Sequence, residues 1–233
     1  MSARLLPACL LIALSFVSCG TTAGWAYPPN ETPVYSAQDS HDQRVAVMMG
    51  SDQRSSKNSN MFAMYLIPLV PWGWMEYERP EVTRMYNTVA EYDMDISKHP
   101  ALAVAEDFKR SGLFPKAFFT YGGDTDGAWT CEVTPQRFAY EGRVYSYGLS
   151  VFGPLLWFLG LPAGENTCIV EFQLELKDPD GDIVWTGTLQ GQESVKNGLY
   201  YNWGRDVEGF TVIFEREMQR LLPQIEAAVT PKA

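Results

Sequence analysis

Cys168-Ile-Val-Glu-Phe-Gln-Leu-Glu-Leu-Lys-Asp-Pro-Asp-Gly-Asp-Ile-Val-Trp185 decides the fold. Cys168, Val170, Phe172, Leu174 and Leu176 alternate with Ile169, Glu171, Gln173 and Glu175, the period of two of a strand with one face in a core. Asp178-Pro179-Asp180-Gly181 has hairpin turn chemistry, and Ile183, Trp185 and Leu189 share a face with Gly187 beyond it. The expectation is an antiparallel pair with one polar and one apolar face.

Upstream, Trp129-Thr-Cys-Glu-Val-Thr134 alternates in the same way, and Glu141-Gly142 reads as a hairpin turn into Arg143 to Ser150. Arg44 to Met49 reads as the first strand, Ser51 to Asn60 as a loop, and Lys116 to Tyr121 as a further strand. Asn87 to Ile96 is an ambiguous edge strand. A helix follows, with Ser97 as N-cap, Pro100 in its first turn and Gly112 as its stop. Leu102, Ala105, Phe108 and Leu113 mark its apolar side, with Glu106, Asp107, Lys109 and Arg110 turned to water. A second helix runs from about Asp206 to Val229 on the stripe Val207, Phe210, Phe214, Met218, Leu221, Ile225 and Ala228, with Pro223 inside it. The order implies an α+β fold: two layers, a mostly antiparallel sheet with two helices on one face.

The chain has 233 residues, with 28 Asp+Glu against 18 Lys+Arg and a net charge of −10. That balance argues against nucleic-acid binding, which needs clustered cations. At 46% apolar residues the chain is not disordered. Two histidines and the absence of any GxSxG, HExxH, P-loop or GxGxxG pattern point to a non-catalytic protein with no cofactor. Gly122-Gly-Asp-Thr-Asp-Gly127 lacks the later Glu of a calcium loop and reads as a solvated turn, so no metal site is expected.

The first residues have the layout of a signal peptide: Arg4, an apolar run from Leu5 to Val17, then Phe16-Val17-Ser18-Cys19. Cleavage after Ala23 or Ala26 is one reading. The other takes residues 1–18 as a lipoprotein signal and Cys19 as the lipidated N-terminus, because Phe16 to Cys19 resembles the lipobox of bacterial lipoproteins. Residues 19–43 then form a flexible tether, and 44–230 a single domain. Cys131 and Cys168 have inward strand parity, open either to a disulfide or to two buried small side chains.

Two stretches carry no charge: Met61 to Met75, and Val144 to Gly164, whose second half (151–164) is the more apolar. Prolines and glycines break both, so neither is a membrane span, and poor alternation makes neither an ordinary strand. They read as loop insertions (61–75 and 151–164) that either cap the core together or contact a partner or membrane. The candidate contacts are Leu66, Leu69, Trp72, Trp74, Leu155, Trp157, Phe158 and Leu161. Gly198-Leu-Tyr-Tyr-Asn-Trp-Gly204 is a third aromatic loop, which either joins the same surface or is a packed connection rich in turn residues.

The lipobox, the Val45-Ala46-Val47 strand, Ile67-Pro-Leu-Val-Pro71, Glu78-Arg-Pro-Glu81, Ser146-Tyr-Gly-Leu-Ser150, Leu159-Gly-Leu-Pro162 and Gly198-Leu-Tyr-Tyr-Asn202 together resemble a group of uncharacterised bacterial envelope lipoproteins. The order of elements is also similar to the small domains of Tol-system and curli-secretion lipoproteins. The resemblance implies a periplasm-facing outer-membrane lipoprotein, with Gly20 after the cysteine implying outer-membrane sorting. It implies a membrane held through the lipid anchor, and another envelope protein or a lipid as partner. A lipid-transport accessory is the alternative.

Overall fold

The computed structural model describes residues 22–25, 27, 35–82, 91–123 and 125–230. The fold is α+β, and its centre is a hairpin of two long strands, β7 (Trp129–Tyr145) and β8 (Gly164–Lys177), extended by β9 (Ile183–Asn197). All the even positions of β8 from Gly164 to Leu176 are buried, as the alternation requires. The two β8 neighbours are antiparallel, so the predicted pair stands.

One edge of β7 follows β8 throughout. The other edge is shared. β2 (Arg44–Met49) lies parallel to residues 129–133, and β4 (Trp72–Tyr77) lies antiparallel to residues 140–145. β3 (Asn58–Met61) extends the β4 side and β6 (Lys116–Phe119) the β2 side, completing seven strands. β1 (Thr22–Gly24) and β5 (Glu91–Asp93) form a separate parallel ribbon.

The expected hairpin turn at Glu141-Gly142 does not exist: β7 continues through both residues. The physical reason lies at the bulge between Pro135 and Arg137. Before it the core-cluster residues are odd (Cys131, Val133), and after it they are even (Phe138, Tyr140, Val144). One extra residue reverses which parity faces the core. It also gives Pro135 a place inside a central strand, where a missing N–H is tolerated only at such irregularities.

Helix α1 (His99–Arg110) and helix α3 (Glu208–Val229) cover the same face, and their side chains share one core with the sheet. Phe210 stacks on Phe138 at 4.0 Å, and Phe214 meets Phe172 edge-on at 5.2 Å. The α3 stripe is buried as predicted except at Ala228, which is exposed. Pro223 sits within α3 on its solvent side. Ile183 is exposed rather than sharing the face of Trp185, because the register shifts between Leu176 and Lys177. A short helix, α2 (Pro154–Phe158), lies in the second apolar stretch. Ser97 is not the N-cap of α1; its hydroxyl instead donates to Asp95, two residues back.

The disulfide reading is wrong, and both cysteines are free and buried. Cys131 faces Leu176, whereas Cys168 faces Tyr140, nine positions further along β7. At about 3.3 Å per residue that is roughly 30 Å, against the ~7 Å a disulfide tolerates between Cα atoms. Burial pushes the Cys131 thiol up to about 12. In the intact protein a thiol reagent is expected to leave Cys131 and Cys168 unmodified, and to modify both once the chain is denatured. Modification under native conditions would contradict this packing.

The described part of the expected tether is docked. Trp25 meets Phe214 edge-on at 5.4 Å, and Tyr35 donates its hydroxyl to Glu226 of α3. Glu226 also accepts the Gln38 and Asp39 amides at 2.6 and 2.8 Å. Tyr27 donates to Asp107, and Asp107 is buried rather than turned to water as its helical position suggested. Arg54, with its side chain buried, is clamped between Asp52 and Glu81 at 3.0 and 2.6 Å, tying the loop before β3 to the turn after β4.

Burial raises the Asp107 carboxyl from 3.8 to about 7, against the opposing pull of the Tyr27 hydroxyl and the Arg110 guanidinium. The folded state therefore holds this proton more tightly than the unfolded chain does. Stability from this group is complete below pH 3.8 and is lost as pH rises through about 7. Asp107→Asn keeps an acceptor for Tyr27 and removes the titration. It is expected to flatten the fall of melting temperature over that range and to raise stability above it, measured by circular dichroism melts across pH.

Candidate functional site

The two charge-free stretches meet at one end of the sheet. The first runs from a 3-10 turn, Phe62–Leu66, into β4; the second runs from the end of β7 through a 3-10 turn, Ser150–Phe152, and α2 into β8. Trp72–Tyr77 is thus a strand, although its alternation was obscured by Gly73 and by two tryptophans on its outer side. Gly73 is required there, since a Cβ would lie 2.1 Å from the Phe62 carbonyl oxygen.

The loops are stitched together through their backbones. Leu69 N–H donates to the Gly148 carbonyl at 3.0 Å, and the Ser146 and Tyr147 N–H groups both donate to the Pro71 carbonyl at 2.9 Å. The Ser146 hydroxyl donates to the Val70 carbonyl at 2.6 Å, and the Ser150 hydroxyl to the Leu66 carbonyl. Within the second stretch Gly153 lets the chain approach itself; a Cβ there would stand 2.5 Å from the Ser146 carbonyl oxygen. The third loop joins them: Tyr200 donates its hydroxyl to the Phe158 carbonyl at 3.1 Å.

The loops therefore present different atoms inward and outward. The backbones pack on each other, while the side chains stay outside. Leu69 is 89% exposed, Leu159 75%, Phe152 65% and Phe158 64%. Leu66, Leu155 and Leu161 are exposed as expected, joined by Ile67, Leu149 and Val151. Trp72 is exposed at the margin and Trp74 is half-buried. Trp157 is the exception. It is half-buried, packs against the core and donates its indole N–H to the Tyr145 carbonyl at 3.0 Å, so it holds the loop down.

Backbone strain is concentrated in the same place. Among the described residues, the non-glycine positions with positive φ are Leu69 (68°), Tyr147 (56°), Ser150 (53°) and Asn202 (52°). Three belong to the two apolar loops and the fourth to the loop that joins them. A leucine in this conformation costs about 1 kcal/mol or more, and this one points its side chain into solvent. In this conformation the Leu69 N–H reaches the Gly148 carbonyl, so the strain is held by the joint between the two loops.

A second feature adjoins this end, on the sheet face not covered by helices. Trp72, Trp74, Glu76, Glu141, Arg143, Glu165 and Thr167 line a shallow depression of about 450 Å³. The Arg143 guanidinium lies 5.9 Å from the Trp72 ring centre, and Tyr145 donates its hydroxyl to Glu165 at 2.8 Å. Burial and the Glu165 carboxylate raise the Tyr145 hydroxyl to about 12, so it remains a donor. Glu76 and Glu141 face each other in register, with Arg137 at 3.5 Å from Glu141. Its members come from β4, β7 and β8, and no linear motif announces them.

Among the described residues, no group of three or more His, Cys, Asp or Glu is placed to hold a metal ion, and no helix is long and apolar enough to cross a membrane. Asp124 of the glycine-rich loop, Cys19 and residues 83–90 lie outside the described residues. Comparison with protein-family models and with curated proteins finds no match.

Removing surface from the exposed tip and from the inward anchor should have opposite consequences. Leu69→Gly relieves the strained φ and deletes only exposed atoms, so its melting temperature should stay close to that of the parent. Trp157→Ala removes packing and the N–H that donates to the Tyr145 carbonyl, and should cost about 2–3 kcal/mol in denaturant unfolding. Equal losses for the two variants would show that the tip is part of the core.

Proposed function

We propose that the protein is a non-catalytic outer-membrane lipoprotein, facing the periplasm and anchored through Cys19, whose domain is a binding and assembly partner in the cell envelope. The observation that carries this reading is the exposed apolar end, built from charge-free loops that are rigidly joined and display Leu69, Phe152, Leu155, Phe158 and Leu159 to solvent. Monomers rarely leave so many contiguous large apolar side chains uncovered unless something covers them in use.

The alternative, a lipid carrier with an acyl chain between sheet and helices, is less well supported. That space is filled by Phe138, Phe172, Phe210 and Phe214, which pack ring to ring. The depression on the outer sheet face is lined by carboxylates and an arginine, which do not suit an acyl chain.

Two measurements test the proposal separately. Metabolic labelling with an azide-bearing fatty acid should mark the wild type, and Cys19→Ala should lose the mark; label that survives the substitution removes the anchor. A photo-crosslinking residue at Phe158 in intact cells should give an adduct absent when the same residue replaces Thr188, an exposed position of β9. Identical behaviour at both positions would remove the contact surface.

A further inference from the structure

The binding role raises the question of what covers the apolar end. We infer that it is the boundary between hydrocarbon and headgroups of a lipid bilayer, entered by the tips of the apolar loops. This rests on the contact-surface reading above and names its occupant.

The first argument is the fate of the loop backbone. Irregular chain is normally barred from lipid because nothing there can satisfy a bare N–H or carbonyl. In these loops many of the polar groups are paired within the module. The Leu69 N–H bonds across to the Gly148 carbonyl, and the Phe152, Gly153 and Leu159 N–H groups bond to carbonyls three residues earlier. Hydroxyls then cap carbonyls that the turns leave over. Ser150 takes that of Leu66, Tyr147 that of Pro162 at 2.6 Å, and Tyr200 that of Phe158 at 3.1 Å. A loop facing water has no need of such caps, and a protein partner brings donors of its own. Caps supplied from within suit an occupant that offers none.

The second argument is composition. Between Met61 and Met75 and between Val144 and Gly164 there is no charge to place in lipid or to match to a charged partner. Trp72 and Tyr200, each carrying a polar handle on an apolar ring, flank the aliphatic tips, the arrangement that interfaces favour.

The third is the anchor itself. Cys19 precedes Thr22, the first residue of β1, by three residues, and three residues reach at most about 10 Å. Residues beyond β1 are docked on the helices through Trp25, Tyr27 and Tyr35. A lipid on Cys19 therefore holds the folded domain close to the bilayer, so docking of the loops becomes an intramolecular event at high effective concentration.

The test uses the full lipidated chain reconstituted in phosphatidylethanolamine–phosphatidylglycerol vesicles. Nitroxide labels are placed at Leu69→Cys, Phe158→Cys and, as a control, Thr188→Cys; the native thiols at Cys131 and Cys168 are buried and do not compete. Power-saturation electron paramagnetic resonance then reads collision with oxygen and with a water-soluble nickel chelate. Leu69 and Phe158 should show an oxygen-to-nickel ratio several-fold above Thr188, the signature of immersion in lipid. Labels shielded from both reagents would mean a protein–protein contact and would overturn the bilayer while keeping the contact surface. Labels open to the chelate as fully as Thr188 would overturn the bilayer as well. Mass spectrometry of the same sample reports whether Cys19 is acylated, so failure of the anchor is read separately.

Discussion

Strand β7 gives one edge to β8 over its whole length and divides the other between β2 and β4, and the rest of the molecule follows from that division. A strand of 17 residues is far longer than the usual five or six, and it needs a bend to stay on one core. The bulge after Pro135 supplies it and separates the parallel neighbour from the antiparallel one. The helices serve the part of the sheet around β2, β6 and β9. The far end, where β4 joins, is finished by loops, and α3 begins only opposite Cys168, whose thiol donates to the Asp206 carbonyl at 3.4 Å. The apolar module therefore stands at the end of a rigid ladder, and its position is set by strand register rather than by its own stability.

Legibility from sequence tracked how local the physics was. The β8–β9 alternation, the Asp178 to Gly181 turn and the α3 stripe depend on residues close in the chain, and each matches the structure except at Ile183 and Ala228. Glu141-Gly142 has the chemistry of a turn, yet Phe138, Tyr140 and Val144 keep a strand parity across it. A shift in parity at Pro135 was the available signal, and it is visible only when both halves are compared. Asp107 occupies a helical position that solvates charge in an isolated helix; Tyr27, 80 residues away, makes it an interior group. The cysteine parity was correct, but parity carries no information about distance along a strand.

The candidate site divides in the same manner. That the charge-free stretches form unusual loops was readable from composition, whereas which of their side chains point outward was not. Trp157 looked like a contact because tryptophans concentrate at interfaces, yet its indole N–H needed a carbonyl and found that of Tyr145. Leu69 looked no different from its neighbours, and only its φ of 68° separates it. The outer-face depression around Glu76, Glu141 and Glu165 is assembled from three strands and depends on a register that no single segment encodes.

The loops also bear on why strain and apolar exposure coincide. A flexible apolar loop would collapse onto the domain and bury its leucines, giving up any contact. Backbone bonds between the loops, with Gly153 allowing Ser146 to approach and Trp157 pinned beneath, prevent that collapse by committing the polar groups before the side chains can fold back. The positive φ values at Leu69, Tyr147 and Ser150 are the conformational cost of that arrangement, at about 1–2 kcal/mol each. Stability for it comes from the ladder beneath, where Phe138, Tyr140, Phe172 and Leu174 lie fully buried. A surface held open against its own hydrophobicity requires a scaffold that does not yield, and the long paired strands provide one.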